Sequence, residues 1–312
     1  MLPIHSTLRL RSNLEVDTGD DESEHDLSAA VAKASEYLKE VGGFASNFDE
    51  KEFLQDTNLQ HAILGLLFGE MLHLAPLSTP RSALDFCCGT SRWSIEFAQA
   101  YPGCDVMGTD ISDRLQPATT PANYKFQIQD AEKPWQLDTT YDYIHGRALV
   151  ACFADNRTVI KNAFPHLKSG GYLEIQDGIV PWRGDDDSFR GSNFDKWQNL
   201  LCEGLSQTGR DLMDAKNWGR YMREEGFKDV VEQHFFMPIN PWAKGQREKL
   251  IGLLCQRDWA LALPDMSVPV FTKILGWTKE QYDKLMEGLL RDLENTDIHG
   301  YMEVYVAYGR KP

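Results

Sequence analysis

Residues 82–100, SALDFCCGTSRWSIEFAQA, decide the fold. Ala83, Leu84, Asp85 and Phe86 read as a short buried strand. Cys87-Cys88-Gly89-Thr90-Ser91 reads as a tight turn, and the segment carrying Trp93, Ile95, Phe97 and Ala98 as a helix. Strand, small-residue turn and helix in that order place a ligand site at the carboxyl end of the first strand of an open α/β sheet. The turn amides and the helix N-terminus favour a polar, negatively charged group. Asp85 closes the strand just before them, so the site carries negative charge of its own and suits a cationic ligand better than a pyrophosphate.

Downstream, strands are expected over 104–109 (ending at Asp110), 124–129 (followed by Asp130-Ala131), 141–145 (followed by Gly146-Arg147) and 172–176. Asp155 is a suitable N-cap for a helix reaching Leu167. This alternation with short turns predicts a mainly parallel sheet with helices on both faces. Beyond Asp177 the pattern changes to a turn-rich loop, helices over 192–207 and 214–225, and a strand over 229–238. Helices over 243–262, 266–275 and 278–294 follow, the last opened by a Thr278/Gln281 capping box, and then a strand over 301–308. The last two strands have no other partner and are expected to pair, with the intervening helices forming a cap.

Upstream, residues 1–26 are polar and acidic and are expected to form a mobile tail. A helix over 27–41 stops at Gly42-Gly43. A second helix over 56–74 carries Leu59, Ile63, Leu66, Leu67 and Met71 at helical spacing and ends before Pro76 and Pro80. The division expected is a tail (1–26), N-terminal lid helices (27–80) and a main domain (81–312) with cap insertions at about 182–225 and 243–294.

The 312-residue chain has 42% hydrophobic and 25% charged residues, ordinary for a globular protein, but a net charge of -15. That surface repels phosphate backbones, so nucleic acid is excluded as the expected substrate and a small molecule is favoured. The six cysteines form no C-x-x-C pair or metal-ligand cluster and read as buried free thiols of a reducing compartment. The first residues lack the apolar core of a signal peptide, and no segment approaches the ~20 apolar residues of a membrane helix. The expected compartment is the cytoplasm, with the nucleus as the alternative. No membrane association is expected, and the sequence indicates no protein partner.

Asp85, Asp110, Asp130 and His145 all fall at strand ends, which line one crevice in such a sheet. Asp110 lies about 20 residues past the turn, where a carboxylate can accept both ribose hydroxyls. Asp130 can accept from an adenine amino group while the amide of Ala131 donates to the ring. An adenosine bearing a positive charge near Asp85 satisfies every piece, and S-adenosylmethionine is such a ligand.

The chain resembles the class I, Rossmann-like S-adenosylmethionine-dependent methyltransferases. More narrowly, it is similar to the fungal LaeA-like methyltransferases of secondary metabolism. The stretches that carry the likeness are NLQHAILGLLFGEMLHLAP, ALDFCCGTSRWSIEFA, YDYIHGRALVACFADNRTVIKNAFPHLKSGGYLEIQD and HGYMEVYVAYGRKP. The resemblance implies a seven-stranded, mostly parallel sheet whose final two strands are an antiparallel pair. It implies cofactor contacts from Asp85, Cys87, Gly89 and Thr90 in the turn, Asp110 and Ile111 at the ribose and adenine, Asp130 and Ala131 at the adenine, and His145. The family usually has glycine where this chain has Cys87 and Ser91, so one glycine of a three-glycine turn remains.

His145 is the candidate general base and Arg147 the candidate anchor for a carboxylate, of either the cofactor or the acceptor. Trp182, Arg183 and Trp242 are candidate acceptor contacts, whereas Trp197 and Trp218 read as core. His234 and His299 read as structural, and Asp185-Asp186-Asp187 as a solvated loop that binds no metal. The function expected is methyl transfer to a hydroxyl or carboxylate of a small secondary metabolite. Its rivals are a regulatory protein acting through a partner, and a cofactor-binding enzyme that rearranges or cyclises its substrate.

Overall fold

The computed structural model describes residues 13–19, 29–30 and 58–312. Seven α-helices and eight strands lie among them. The first helix is α1 (Asn58–Leu67). The core then alternates as β1 (Ser82–Phe86), α2 (Arg92–Ala100), β2 (Asp105–Asp110), β3 (Tyr124–Ile128), β4 (Tyr141–Arg147), α3 (Asn156–His166) and β5 (Leu167–Gly178). After it come β6 (Arg183–Gly184), α4 (Asn193–Ser206), α5 (Trp218–Glu225), β7 (Lys228–Pro238), α6 (Gln246–Pro269), α7 (Lys279–Glu294) and β8 (Gly300–Arg310).

The strands form one sheet in the order β3-β2-β1-β4-β5-β8, with β6 and β7 also paired to β8. The first five strands are parallel, and β8 runs antiparallel to β5, β6 and β7. The antiparallel partnership expected of the last two long strands is therefore present, with α6 and α7 inserted between them. The strand not foreseen is β6, whose two residues pair with Gly300 and Tyr301 beyond the stretch of β8 that β5 covers. The order 3-2-1-4-5 reverses direction at β1, so the carboxyl ends of β1 and β4 flank the point where ligands bind in open α/β sheets.

Local chemistry explains several boundaries. The Asp155 carboxylate accepts from the Arg157 amide and caps α3, and the Thr278/Gln281 capping box opens α7. The helix expected over 56–74 is shorter: α1 stops at Leu67, where Gly69 and Glu70 take φ of 70° and 64° and Met71 is left exposed. Its last carbonyls, those of Leu66 and Leu67, accept from the Arg247 guanidinium of α6. The chain between α1 and β1 is fastened to the sheet, because the buried Glu174 carboxylate of β5 accepts from the amides of Leu74 and Ala75. Trp93 Nε1 adds a bond to the Leu72 carbonyl. The two helices expected over 243–262 and 266–275 are one, α6, running into a π-helical turn at Val270–Ile274. Pro264 lies inside α6, where its ring removes one ladder N–H, and its carbonyl accepts from the Tyr282 hydroxyl.

Part of the expected tail is docked. Val16 bridges to Ala243, Leu14 and Val16 pack on Trp242 and Tyr301, and Asp17 pairs with the buried Lys249 ammonium. Apolar Leu14 and Val16 alternate with Glu15 and Asp17, which lets a strand-like segment bury one side. The remainder of the tail lies outside the described residues. So does the helix expected over 27–41, except that residues 29–30 are helical.

The apolar interior has two main parts: one under the parallel sheet around Leu84, Ile144 and Leu173, and one uniting α1 with the cap around Trp197, Leu254 and Leu289. The second makes α1 and the cap a continuous roof beside the strand ends.

Candidate active site

The turn after β1 keeps a glycine-type backbone without the glycines. Cys87, Gly89 and Ser91 adopt φ of 52°, 55° and 61°. An L-residue in this conformation costs about 1–2 kcal/mol. Ser91 offsets the cost through its side chain: Oγ donates to Gln116 Oε1 at 2.7 Å and accepts from the Tyr124 hydroxyl. The Tyr124 ring reaches it by crossing β2 at Gly108, where a Cβ would stand 2.3 Å from the phenol oxygen. Burial holds the Cys88 thiol at about 12 and raises Cys87 as well, so both remain neutral and add no charge to the turn.

Asp110 is drawn against this turn. Its Oδ2 accepts from the Gly89 amide at 3.0 Å and its Oδ1 from the Ser112 amide at 3.2 Å. Ile111 follows with its side chain 73% exposed, an apolar face beside a carboxylate. At the end of β3, Asp130 Oδ1 accepts from the Glu132 amide at 2.9 Å, and the buried Ala131 gives its carbonyl to Trp135 and Asn162. Thr90 is half-buried within the turn. Gln116, which also donates to the Gly89 carbonyl at 2.8 Å, joins the turn without any signal in the sequence. It sits in a polar stretch with neither a period nor a motif.

Asp85 and His145 are partners across adjacent strands. His145 Nδ1 donates to Asp85 Oδ1 at 2.9 Å, and Ser94 Oγ donates to Oδ2. The imidazole stacks on Trp93 with ring centroids 3.6 Å apart and is fully buried. With its Nδ1 proton committed to the carboxylate, Nε2 carries the lone pair, and it is buried with no hydrogen-bond partner. Asp85 is thus held on two sides, at the floor of the site rather than its surface.

Arg147, at the end of β4, is half-buried. Its guanidinium meets His61 Nδ1 of α1 at 2.7 Å, and His61 Nε2 meets Glu96 Oε2 of α2 at 2.7 Å. Burial lowers Arg147 to about 10 and, as the leading cause, lowers His61. The hydrogen bond from His61 leads the lowering of Glu96. This chain of three ties α1 to the strand ends. His61 was not singled out from the sequence, where it is one polar residue on an apolar helix.

The acceptor candidates separate. Trp182 lies buried in the cap, its ring 4.8 Å from Trp259 and 4.7 Å from Phe194. Arg183 pairs with Glu303 at the far edge of the sheet. Trp242 donates to the Gly300 carbonyl and packs under the 13–19 segment. Neither of the last two joins the strand-end cluster. Among the described residues no group of His, Cys, Asp and Glu could hold a metal ion, and no helix is long and apolar enough to cross a membrane.

The residues present fit S-adenosylmethionine: a cradle of left-handed backbone at the turn, a carboxylate at the end of β2 with an exposed aliphatic face beside it, and a second carboxylate after β3. A family model described as a methyltransferase domain matches residues 57–233. Methyltransferase pytC of Aspergillus terreus is 29% identical over 276 residues, spanning 87% of this chain and 84% of that relative. The secondary metabolism regulator laeA of Monascus pilosus is 29% identical over 232 residues, 73% of this chain and 63% of the relative. Phosphoethanolamine N-methyltransferase 2 of Haemonchus contortus, solved in complex with S-adenosyl-L-methionine, aligns with a TM-score of 0.46 at 19% identity over 82% of this chain and 52% of that one. The matched span exceeds half of the chain and includes the turn, Asp110, Asp130, His145 and Arg147: the chain belongs to the methyltransferase domain family and is an S-adenosylmethionine-dependent methyltransferase.

Proposed function

We propose that the protein transfers the methyl group of S-adenosylmethionine to an oxygen, hydroxyl or carboxylate, of a small molecule of fungal secondary metabolism. The observation that carries the reading is the Asp110 carboxylate held on the Gly89 amide beside exposed Ile111. In the reading, Asp110 takes the ribose, Ile111 and Asp130-Ala131 take the adenine, and the turn from Cys87 to Thr90 lies along the methionine portion. The cofactor supplies an electrophilic methyl group on a sulfonium. The chain then has to align the acceptor oxygen in line with that methyl and exclude water, which accounts for much of the acceleration.

A hydroxyl acceptor gives its proton to His145 Nε2, whose lone pair is fixed by the bond from Nδ1 to Asp85. A carboxylate acceptor needs no base and is held by Arg147, and the complete burial of His145 favours this second course. Asparagine at His145 separates them: the rate falls by roughly 10²–10⁴-fold for a hydroxyl acceptor and little for a carboxylate.

The experiment that tests the reading is calorimetric titration of wild type and Asp110→Ala with S-adenosylmethionine and S-adenosylhomocysteine, followed by mass spectrometry of small-molecule panels for products heavier by one methylene. Micromolar binding to wild type, at least about tenfold weaker in the variant, supports the assignment, and equal affinity refutes it. The name of the Monascus relative supports a regulatory alternative. A stably co-purifying protein without any methylated small molecule would favour that alternative, and a product of unchanged mass would favour a rearrangement or cyclisation.

A further inference from the structure

Three buried polar atoms of the cap have no hydrogen-bond partner: Trp182 Nε1, Trp259 Nε1 and Asp258 Oδ2. The two indoles are in contact, with ring centroids 4.8 Å apart, and Asp258 precedes Trp259 on α6. Trp182, Trp259 and Asp258 are each more than nine-tenths buried. Folded proteins leave few such atoms unpaired, because each forfeits its hydration without return. Two such atoms on indoles in contact, and a third on the residue next to Trp259, call for a ligand that supplies the missing partners.

The position agrees. The Gln60 side chain of α1 hydrogen-bonds Asp258, and the next residue, His61, is bonded to Arg147 at the end of β4. Gln60 and His61 are successive residues of α1, so the one helix reaches both Asp258 and the strand ends. Burial pushes Asp258 up to about 7, so near neutral pH its carboxyl is available both as an acceptor and as a donor.

We propose that Trp182, Trp259 and Asp258 recognise the acceptor, and that it is a planar molecule presenting carbonyl or ether oxygens to the indole N–H groups and a hydroxyl or N–H to Asp258. The proposal rests on the methyl-transfer reading and adds the class of acceptor. Apolar planar surface packs against the indole faces, while the paired polar groups set orientation. Loss of any one of them leaves a buried protein atom unpaired in the complex, which is the arrangement that discriminates most strongly between close analogues.

The test uses full-length protein saturated with S-adenosylhomocysteine and titrated calorimetrically with 2,4-dihydroxyacetophenone and with acetophenone, which lacks the hydroxyls. Wild type is expected to bind the dihydroxy compound at least about tenfold more tightly. Asp258→Leu should abolish the preference. Trp182→Phe and Trp259→Phe, which keep a ring but lose the N–H, should weaken binding of both compounds. Retained affinity for S-adenosylhomocysteine shows that each variant has folded. Asp258→Leu should also melt at a higher temperature than wild type without ligand, whereas a structural carboxylate would make the variant melt lower. Equal binding of the two compounds by wild type, binding of neither, or a preference that survives Asp258→Leu overturns the proposal. Failure of wild type to bind S-adenosylhomocysteine would instead count against the methyl-transfer reading.

Discussion

Replacing Ser91 by glycine restores the residue usual for the family and should nonetheless destabilise the protein. The backbone term favours the variant: relief of a left-handed serine is worth about 1–2 kcal/mol, reduced by about 0.5–1 kcal/mol for the extra freedom of glycine in the unfolded chain. The side-chain term opposes it. Ser91 Oγ is fully buried between Gln116 Oε1 at 2.7 Å and the Tyr124 hydroxyl, and burial already holds the Tyr124 phenol well above its usual range. Removing Oγ leaves two buried groups short of a partner, at about 1–3 kcal/mol for each group. Tyr124 recovers part of this through its longer contact of 3.3 Å with Gln116, so the loss is about 3 kcal/mol in all. The net effect is about 2 kcal/mol against the variant, a fall of roughly 4–8 °C in melting temperature. Cys87 shares the strained φ, and a partner of this kind is not found among the hydrogen bonds of its thiol, so Cys87→Gly should change stability by under about 1 kcal/mol. Differential scanning calorimetry of the two variants decides. A Ser91→Gly protein as stable as wild type would refute the view that the hydroxyl network replaces glycine in this turn.

Two further outcomes follow from other parts of the molecule. Burial raises Asp177 to about 7 despite bonds from the Leu149 and Gly178 amides and Trp218. The folded state therefore binds a proton that the unfolded chain releases near its usual value of 3.8, so this residue's contribution is greatest below pH 4, declines as pH rises through 7 and is flat above. Asp177→Asn should flatten that decline in urea denaturation curves taken from pH 4 to 8, and an unchanged slope would refute the assignment. Asp155→Ala removes the N-cap of α3 and should cost about 1 kcal/mol, read as a shift in the urea midpoint with the slope unchanged.

The sheet and the turn were legible because both are local. Asp85 and Asp110 lie in the last two positions of β1 and β2 and Asp130 two residues past β3, and topology alone brings strand ends together. What escaped the sequence depends on tertiary contacts. Helical spacing of Leu67, Met71 and Leu74 suggested one long helix, but Gly69-Glu70 reverses the backbone first, and Arg247 from a remote helix takes the last carbonyls. Trp242 and Arg183 share the loop-and-proline setting of Trp182, and nothing in their local sequence says that one packs with Tyr301 and the other pairs with Glu303. Asp258 is one acid on a long helix until the fold buries it and brings Gln60 to it.

The fastening of the chain between α1 and β1 limits how the roof can open. Leu72, Leu74 and Ala75 are bonded to Trp93 and Glu174, while Phe68 is buried. The amides of Gly69 and Glu70 in turn donate to the Leu66 and Gly65 carbonyls of α1, so the connection is held by backbone bonds as well as by packing. Because Arg247 clamps the end of α1 to α6, any displacement of α1 has to carry α6 with it or break those two bonds.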